Sequence, residues 1–230
     1  METTYALIHG AGDAAYWHLL VPELQARGHE VLAPELPSDD TAGLAGYTDT
    51  VVSAIGGRED VIVVAQSLGG FTGPLVCDRV PAVRLLVLVA AMVPSPGESA
   101  GDWWGNTGAE EARRESEERA GRSPEFDLVT GFFHDVPPEV TAEAMSREQR
   151  SESAAVWTDP WPLGAWPSVP TRFLLCRDDR FFPAPFMRRV VRDRLGITPD
   201  EMDSGHLPAL SRPKELADRL EAYRTSLQAP

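Results

Sequence analysis

Short runs of apolar and β-branched residues alternate along this chain with longer stretches in which apolar positions recur at helical spacing. The runs Thr4 to His9, Glu30 to Ala33, Asp60 to Ala65, Arg84 to Val89 and Thr171 to Cys176 predict strands, with a weaker one at Thr198 to Met202. Runs that are apolar throughout, rather than at alternate positions, suit a sheet covered on both faces. Helical spacing predicts helices over Ala14 to Arg27, Tyr47 to Ile55, Ser67 to Val80, Pro185 to Leu195 and Pro213 to Leu227. In the last of these, Leu216, Leu220, Tyr223 and Leu227 recur at i, i+4, i+7 and i+11, a single face able to dock on the sheet. The alternation as a whole predicts an α/β fold around a mostly parallel sheet.

Residues 94–169 break the pattern. They hold no convincing strand and are rich in Trp, Pro and charge, which predicts a helical insertion into a core made of residues 1–93 and 170–230. Within the insertion, Glu110 with Arg114, Arg113 with Glu117, and Glu115 with Arg119 fall at i, i+4, the pattern of a solvated helix face. Its aromatics, Trp103 and Trp104, then Phe132, Phe133, Trp157, Trp161 and Trp166, suit either a small internal core or the lining of a cleft. We expect Trp103, Phe132, Phe133, Trp157 and Trp161 to contact substrate.

Length and composition narrow the function classes. At about 150 residues per domain, 230 residues make one domain or one core with an insertion. The longest apolar run, Leu85 to Val93, is nine residues, far short of the roughly 20 that span a bilayer. The opening Met-Glu-Thr-Thr-Tyr is acidic where a secretory signal is basic, so the expected location is cytoplasmic. A formal charge of −14 repels polyanions and argues against a nucleic-acid partner. Two cysteines, Cys77 and Cys176, make neither a disulfide scaffold nor a zinc cluster, and no spacing of His, Cys and carboxylates indicates a metal. No cofactor is expected, and the expected partner is a small-molecule substrate.

The chemistry starts at Ala65-Gln66-Ser67-Leu68-Gly69-Gly70, a sharp turn between a buried strand and a helix. A serine at the tip of such a turn has strained backbone angles and tolerates only small flanking residues. Its hydroxyl is a poor nucleophile without a base and a third group to orient that base. Both are offered downstream: the strand Thr171 to Cys176 runs into Arg177-Asp178-Asp179, and Ser204-Gly205-His206 precedes the last helix. Open α/β sheets carry their sites at these carboxyl ends.

These residues resemble the α/β-hydrolase superfamily, and more narrowly its small esterase and hydroxynitrile lyase group, which includes methyl-salicylate esterases. The resemblance rests on His9-Gly10-Ala11-Gly12, the turn at Ser67, Cys176-Arg177-Asp178-Asp179 with Pro183 four residues on, and Ser204-Gly205-His206. Ala65 departs from it, standing where the usual pattern has glycine. The resemblance implies the α/β-hydrolase fold, with helices on both faces of the sheet and residues 94–169 as a small helical cap. It implies Ser67 as nucleophile, His206 as base and Asp179, four residues before the proline, as the acid. It also implies an oxyanion hole from the backbone N–H groups of Ala11 and Leu68, with Gly10 beside the substrate.

Three functions fit this scaffold: a serine carboxylesterase for a small, apolar or aromatic ester, a lyase or cyclase using His206 as a base, and a low-turnover binding protein. Hydroxynitrile lyases of the group carry threonine at the position of Gly10 and lysine after the histidine. Gly10 and Leu207 therefore favour the hydrolase. Among the other histidines, His9 is expected to support its loop, His18 and His29 to be surface or capping residues, and His134, beside Asp135, to lie within reach of a substrate.

Overall fold

The apolar runs assemble into one six-stranded parallel sheet in the computed structural model, which describes residues 3–148 and 150–227. Met1 and Glu2 of the acidic N-terminus lie outside these. The strands are β1 (Thr4–Ile8), β2 (Glu30–Leu32), β3 (Val61–Gln66), β4 (Val83–Val89), β5 (Thr171–Cys176) and β6 (Asp200–Met202), in the spatial order β2-β1-β3-β4-β5-β6. Chain order reverses between β1 and β3, the point at which open sheets form a ligand-binding crevice outside their carboxyl ends.

The helices are α1 (Leu20–Gln25), α2 (Leu44–Ile55), α3 (Gly73–Arg79), α4 (Ala100–Thr107), α5 (Ala109–Arg119), α6 (Leu128–Phe132), α7 (Pro138–Ser146), α8 (Ala154–Thr158), α9 (Ala184–Leu195), α10 (Pro208–Ser211) and α11 (Pro213–Ser226). Alternate residues of the strands feed two core layers. Ala6, Ile8, Val63, Ala65, Leu86 and Phe173 face one layer with α2, α3 and α9; Tyr5, Leu7, Val64, Val87 and Leu174 face the other with α1 and α11. Each layer removes its apolar surface from water at roughly 25 cal/mol per Å², which is why the central strands read as continuous apolar runs.

Two of the expected helices are broken. Ala14 to Arg27 divides into a 3₁₀ turn, Ala14–Trp17, and α1, and the segment after Ser67 opens with a 3₁₀ turn, Ser67–Gly70, before α3. Residues 94–169 hold α4 to α8 and, among the described residues, no strand. The charged helix α5 is solvated in part: Glu110, Arg114, Glu115 and Arg119 are exposed as its pattern suggests, but Arg113 is 4% exposed and Glu117 8%. Arg113 pairs with Glu110, and its guanidinium lies over the ring of Phe126, while Glu117 pairs with Arg122 beyond the helix. Only Glu115 and Arg119 keep the expected i, i+4 pairing. No helix among the described residues is long and apolar enough to cross a membrane.

Candidate active site

Ser67 follows β3 directly and has φ +51°, in the left-handed region that a non-glycine residue enters only when its surroundings impose it. Those surroundings are visible. The Ser67 carbonyl accepts the Met92 N–H at 2.9 Å, and Gly70 passes so close to the same strand end that a side chain there would overlap the Met92 carbonyl oxygen. The turn is thus clamped between the ends of β3 and β4, and the serine side chain projects beyond the sheet.

Asp179 and His206 come from loops after β5 and β6, two and three strands away from β3. His206 Nε2 lies 3.1 Å from Ser67 Oγ, and His206 Nδ1 lies 2.7 Å from Asp179 Oδ2. The other carboxylate oxygen of Asp179 accepts the N–H groups of Phe181 and Phe182 at 2.8 and 2.9 Å. That arrangement fixes the carboxylate and gives Nδ1 the proton, which leaves Nε2 with a lone pair toward the serine. All three residues are buried. Asp178 points away: it is exposed, and its N–H donates to the Ser204 carbonyl.

The imidazole is enclosed by rings. Phe132 stacks on it at 5.0 Å and 23° between planes, and Phe181 and Phe182 approach edge-on. Gln66, buried beside the serine, donates its Nε2 to the His206 carbonyl at 3.1 Å. The His9 loop crosses the same region. Gly10 packs so tightly that a side chain would lie 2.7 Å from both Gln66 Oε1 and Ser67 Cβ.

A cavity of about 250 Å³ opens onto Ser67 and His206. Phe132, Phe133, Leu128, Leu207 and Leu210 give it an apolar wall, Ala11 and Gly12 edge it on the β1 loop, and Arg147, Arg150 and His18 add cationic or polar groups. Arg147 pairs with Glu143, and Arg150 donates to the Ser38 hydroxyl.

Comparison with known proteins agrees with this fold. The model of the alpha/beta hydrolase family matches residues 6–219. The chain belongs to the alpha/beta hydrolase family. This hydrolase is 25% identical to methylesterase 3 of Arabidopsis thaliana, with 91% of each chain covered. It is 24% identical to methyl jasmonate esterase 1 of Vitis vinifera, with 96% of each chain covered. Among solved structures, polyneuridine aldehyde esterase superposes with a TM-score of 0.78 at 19% identity, covering 97% of this chain and 100% of that one.

Several expected contacts of the hydrolase lie elsewhere. Trp103 and Trp161 are fully buried in the core layer, their indole N–H groups donating to the carbonyls of Val93 and Phe71. Trp157 packs on that layer and donates to Glu152. None of the three lines the cavity at Ser67, because each anchors the insertion to the core; of the five aromatics, Phe132 and Phe133 reach it. Gly10 is buried behind the serine rather than in the cavity wall. His29 is buried too, taking the Thr3 N–H and lying 3.0 Å from Glu221. His9 does hold its loop, with contacts to the Gly10 carbonyl and the Leu36 N–H, and burial lowers its pKa. His134 lines a separate polar hollow behind Asp179 instead of the cavity at Ser67. Both cysteines are free; burial pushes the Cys77 thiol up to about 12 and the Cys176 thiol well above its ordinary value. No group of three or more metal-ligating side chains is assembled among the described residues.

The cavity residues Gln66, His18, Tyr16 and Arg150 carry no signature in the sequence. Only proximity to the serine turn could have singled out Gln66.

Proposed function

We propose that this hydrolase is a serine carboxylesterase acting on a small ester with an apolar or aromatic group, with residues 94–169 as a cap over a core of residues 1–93 and 170–230. The esterase names among its relatives support an ester-hydrolysing enzyme. The observation that carries the finer reading is the continuous chain from Ser67 Oγ through His206 to Asp179, 3.1 and 2.7 Å.

In this reading Ser67 Oγ attacks the ester carbonyl while His206 Nε2 takes its proton, and Asp179 stabilises the imidazolium without itself being protonated. The tetrahedral oxyanion is held by the N–H groups of Ala11 and Leu68. Collapse breaks the bond to the alkoxide, which receives the proton from Nε2 and leaves as an alcohol. Water then attacks the acyl enzyme with the same base, releasing the acid and restoring Ser67. Ala11 borders the cavity and Leu68 lies buried behind the serine, positions consistent with those two donors.

Phe132, Phe133, Leu128, Leu207 and Leu210 form the apolar side. Each methylene buried against them is worth about 0.8 kcal/mol, close to fourfold in kcat/KM when it is realised in the transition state. At about 250 Å³ the cavity favours a small substrate. Arg147, paired with Glu143, and Arg150, near Glu35, place guanidinium groups at the polar edge of the cavity. A matched series of p-nitrophenyl esters tests the reading: medium-length or aromatic acyl groups should exceed acetate at least tenfold in kcat/KM. A profile peaking at acetate would contradict the apolar site.

A further inference from the structure

We propose that Asp135, in the insertion, is a positioning residue for His206 and acts through the backbone of Gly205. The inference rests on the esterase reading above, in which His206 carries the proton.

Asp135 sits in the turn between α6 and α7, some 70 residues before the histidine loop, and reaches it in three dimensions. Its Oδ2 accepts the Gly205 N–H at 2.7 Å and faces the Ser204 hydroxyl at 3.4 Å. A hydrogen bond to a carboxylate is shorter and stronger than one between neutral groups, so this is the tightest hold on the residue preceding the base. The fit leaves no slack. A side chain at Gly205 would come within 2.5 Å of Asp135 Oδ1 and 2.7 Å of His134 Nε2, and both of those atoms are buried with no partner among the described residues.

From the opposite side the loop is held by the core: the Asp178 N–H donates to the Ser204 carbonyl, and the Ser204 and Ser211 hydroxyls bond at 2.9 Å. The stretch of insertion that ends in Asp135 also supplies Phe132, stacked on the His206 ring. The insertion therefore grips the base twice, by its ring through Phe132 and by its backbone through Asp135. Catalytic groups need placement to about 0.5 Å, and a misplacement of about 1 Å costs on the order of a hundredfold. Releasing Gly205 should let the imidazole drift from Ser67 while the apolar cavity wall stays in place.

The test compares Asp135→Ala, which removes the acceptor, with Asp135→Asn, which keeps an acceptor oxygen, in the full chain with a p-nitrophenyl ester. The Ala variant should lose at least tenfold in kcat with KM within twofold. Asn should restore kcat to within fivefold of the unaltered enzyme. Amide hydrogen exchange at Gly205 should accelerate at least tenfold in the Ala variant and not in the Asn variant. Should the Ala variant fail to fold, Gly205→Ala probes the same contact from the other side, and it too should lower kcat at unchanged KM. An Ala variant with kcat within twofold, unchanged exchange at Gly205, or an Asn variant no better than Ala would each overturn the inference. An unaltered chain that neither cleaves the ester nor reacts with a fluorophosphonate at Ser67 would instead overturn the esterase reading on which it rests.

Discussion

The methyl group of Ala65 occupies the space beside the bare Cα of Gly73: a side chain built at Gly73 would lie 2.9 Å from Ala65 Cβ and 3.1 Å from Leu86 Cδ1. Alanine two residues before the serine departs from the usual glycine of the turn. The room it needs is provided by Gly73, at the start of α3. In an ordinary helix, Gly→Ala is stabilising by roughly 0.5–1 kcal/mol. Here Gly73→Ala should destabilise instead, by about 1–3 kcal/mol of overpacking. Chemical denaturation of Gly73→Ala, Ala65→Gly and the double variant checks this. The double variant should be more stable than the sum of the single effects by at least 0.5 kcal/mol, on the order of contacting pairs.

Asp178 and Asp179 are adjacent carboxylates with opposite surroundings, one exposed and one buried against His206 Nδ1. Asp179→Asn should favour the wrong imidazole tautomer and lower kcat by roughly 10⁴. Asp178→Asn should cost less than tenfold. Steady-state kinetics on the two variants decides the assignment, and the reverse ranking would move the acid to Asp178.

Glu98 ties the start of the insertion to α9. It receives both guanidinium nitrogens of Arg194, the Asn106 amide and the Ser95 N–H. Burial alone would raise its pKa, but the hydrogen bonds from Arg194 and Asn106 outweigh it and hold the carboxyl below its ordinary value. A carboxyl depressed on folding adds stability above its unfolded pKa, and that contribution is lost as pH falls through the folded one. Glu98→Gln should therefore be less stable at pH 7 by about 3 kcal/mol, the order found when a buried pair loses one partner. The gap to the unaltered chain should narrow below about pH 4.5, near the ordinary carboxyl pKa. Urea unfolding at pH 7 and pH 3.5 reads both, and a gap independent of pH would show that Glu98 contributes no ionic component.

The parallel sheet was legible because strands covered on both faces must be apolar at every position, and the serine after β3 was legible because a strained turn restricts its own neighbours. Ser67 is marked by its small flanks and His206 by a loop before the last helix, whereas the acidic turn after β5 offers two aspartates, and the choice of Asp179 came from the resemblance. The aromatics were not separable in this way. Trp103 and Trp161 in the core and Phe132 on the imidazole have the same apolar character, and only the path of the insertion distinguishes them. The face of α5 misled for a related reason. Arg113 and Glu117 are spaced as a solvated pair, but Phe126 and Arg122, from the segment after the helix, fold back over them. Gln66 and Asp135 act on residues 140 and 70 positions away, contacts with no periodicity to reveal them.

Mass spectrometry after treatment with a fluorophosphonate decides whether Ser67 is a covalent nucleophile driven by His206 and Asp179. One adduct is expected, on Ser67, abolished in Ser67→Ala, with esterase kcat in that variant reduced by roughly 10⁴ to 10⁶. An adduct on another residue, or undiminished turnover in Ser67→Ala, would contradict that role.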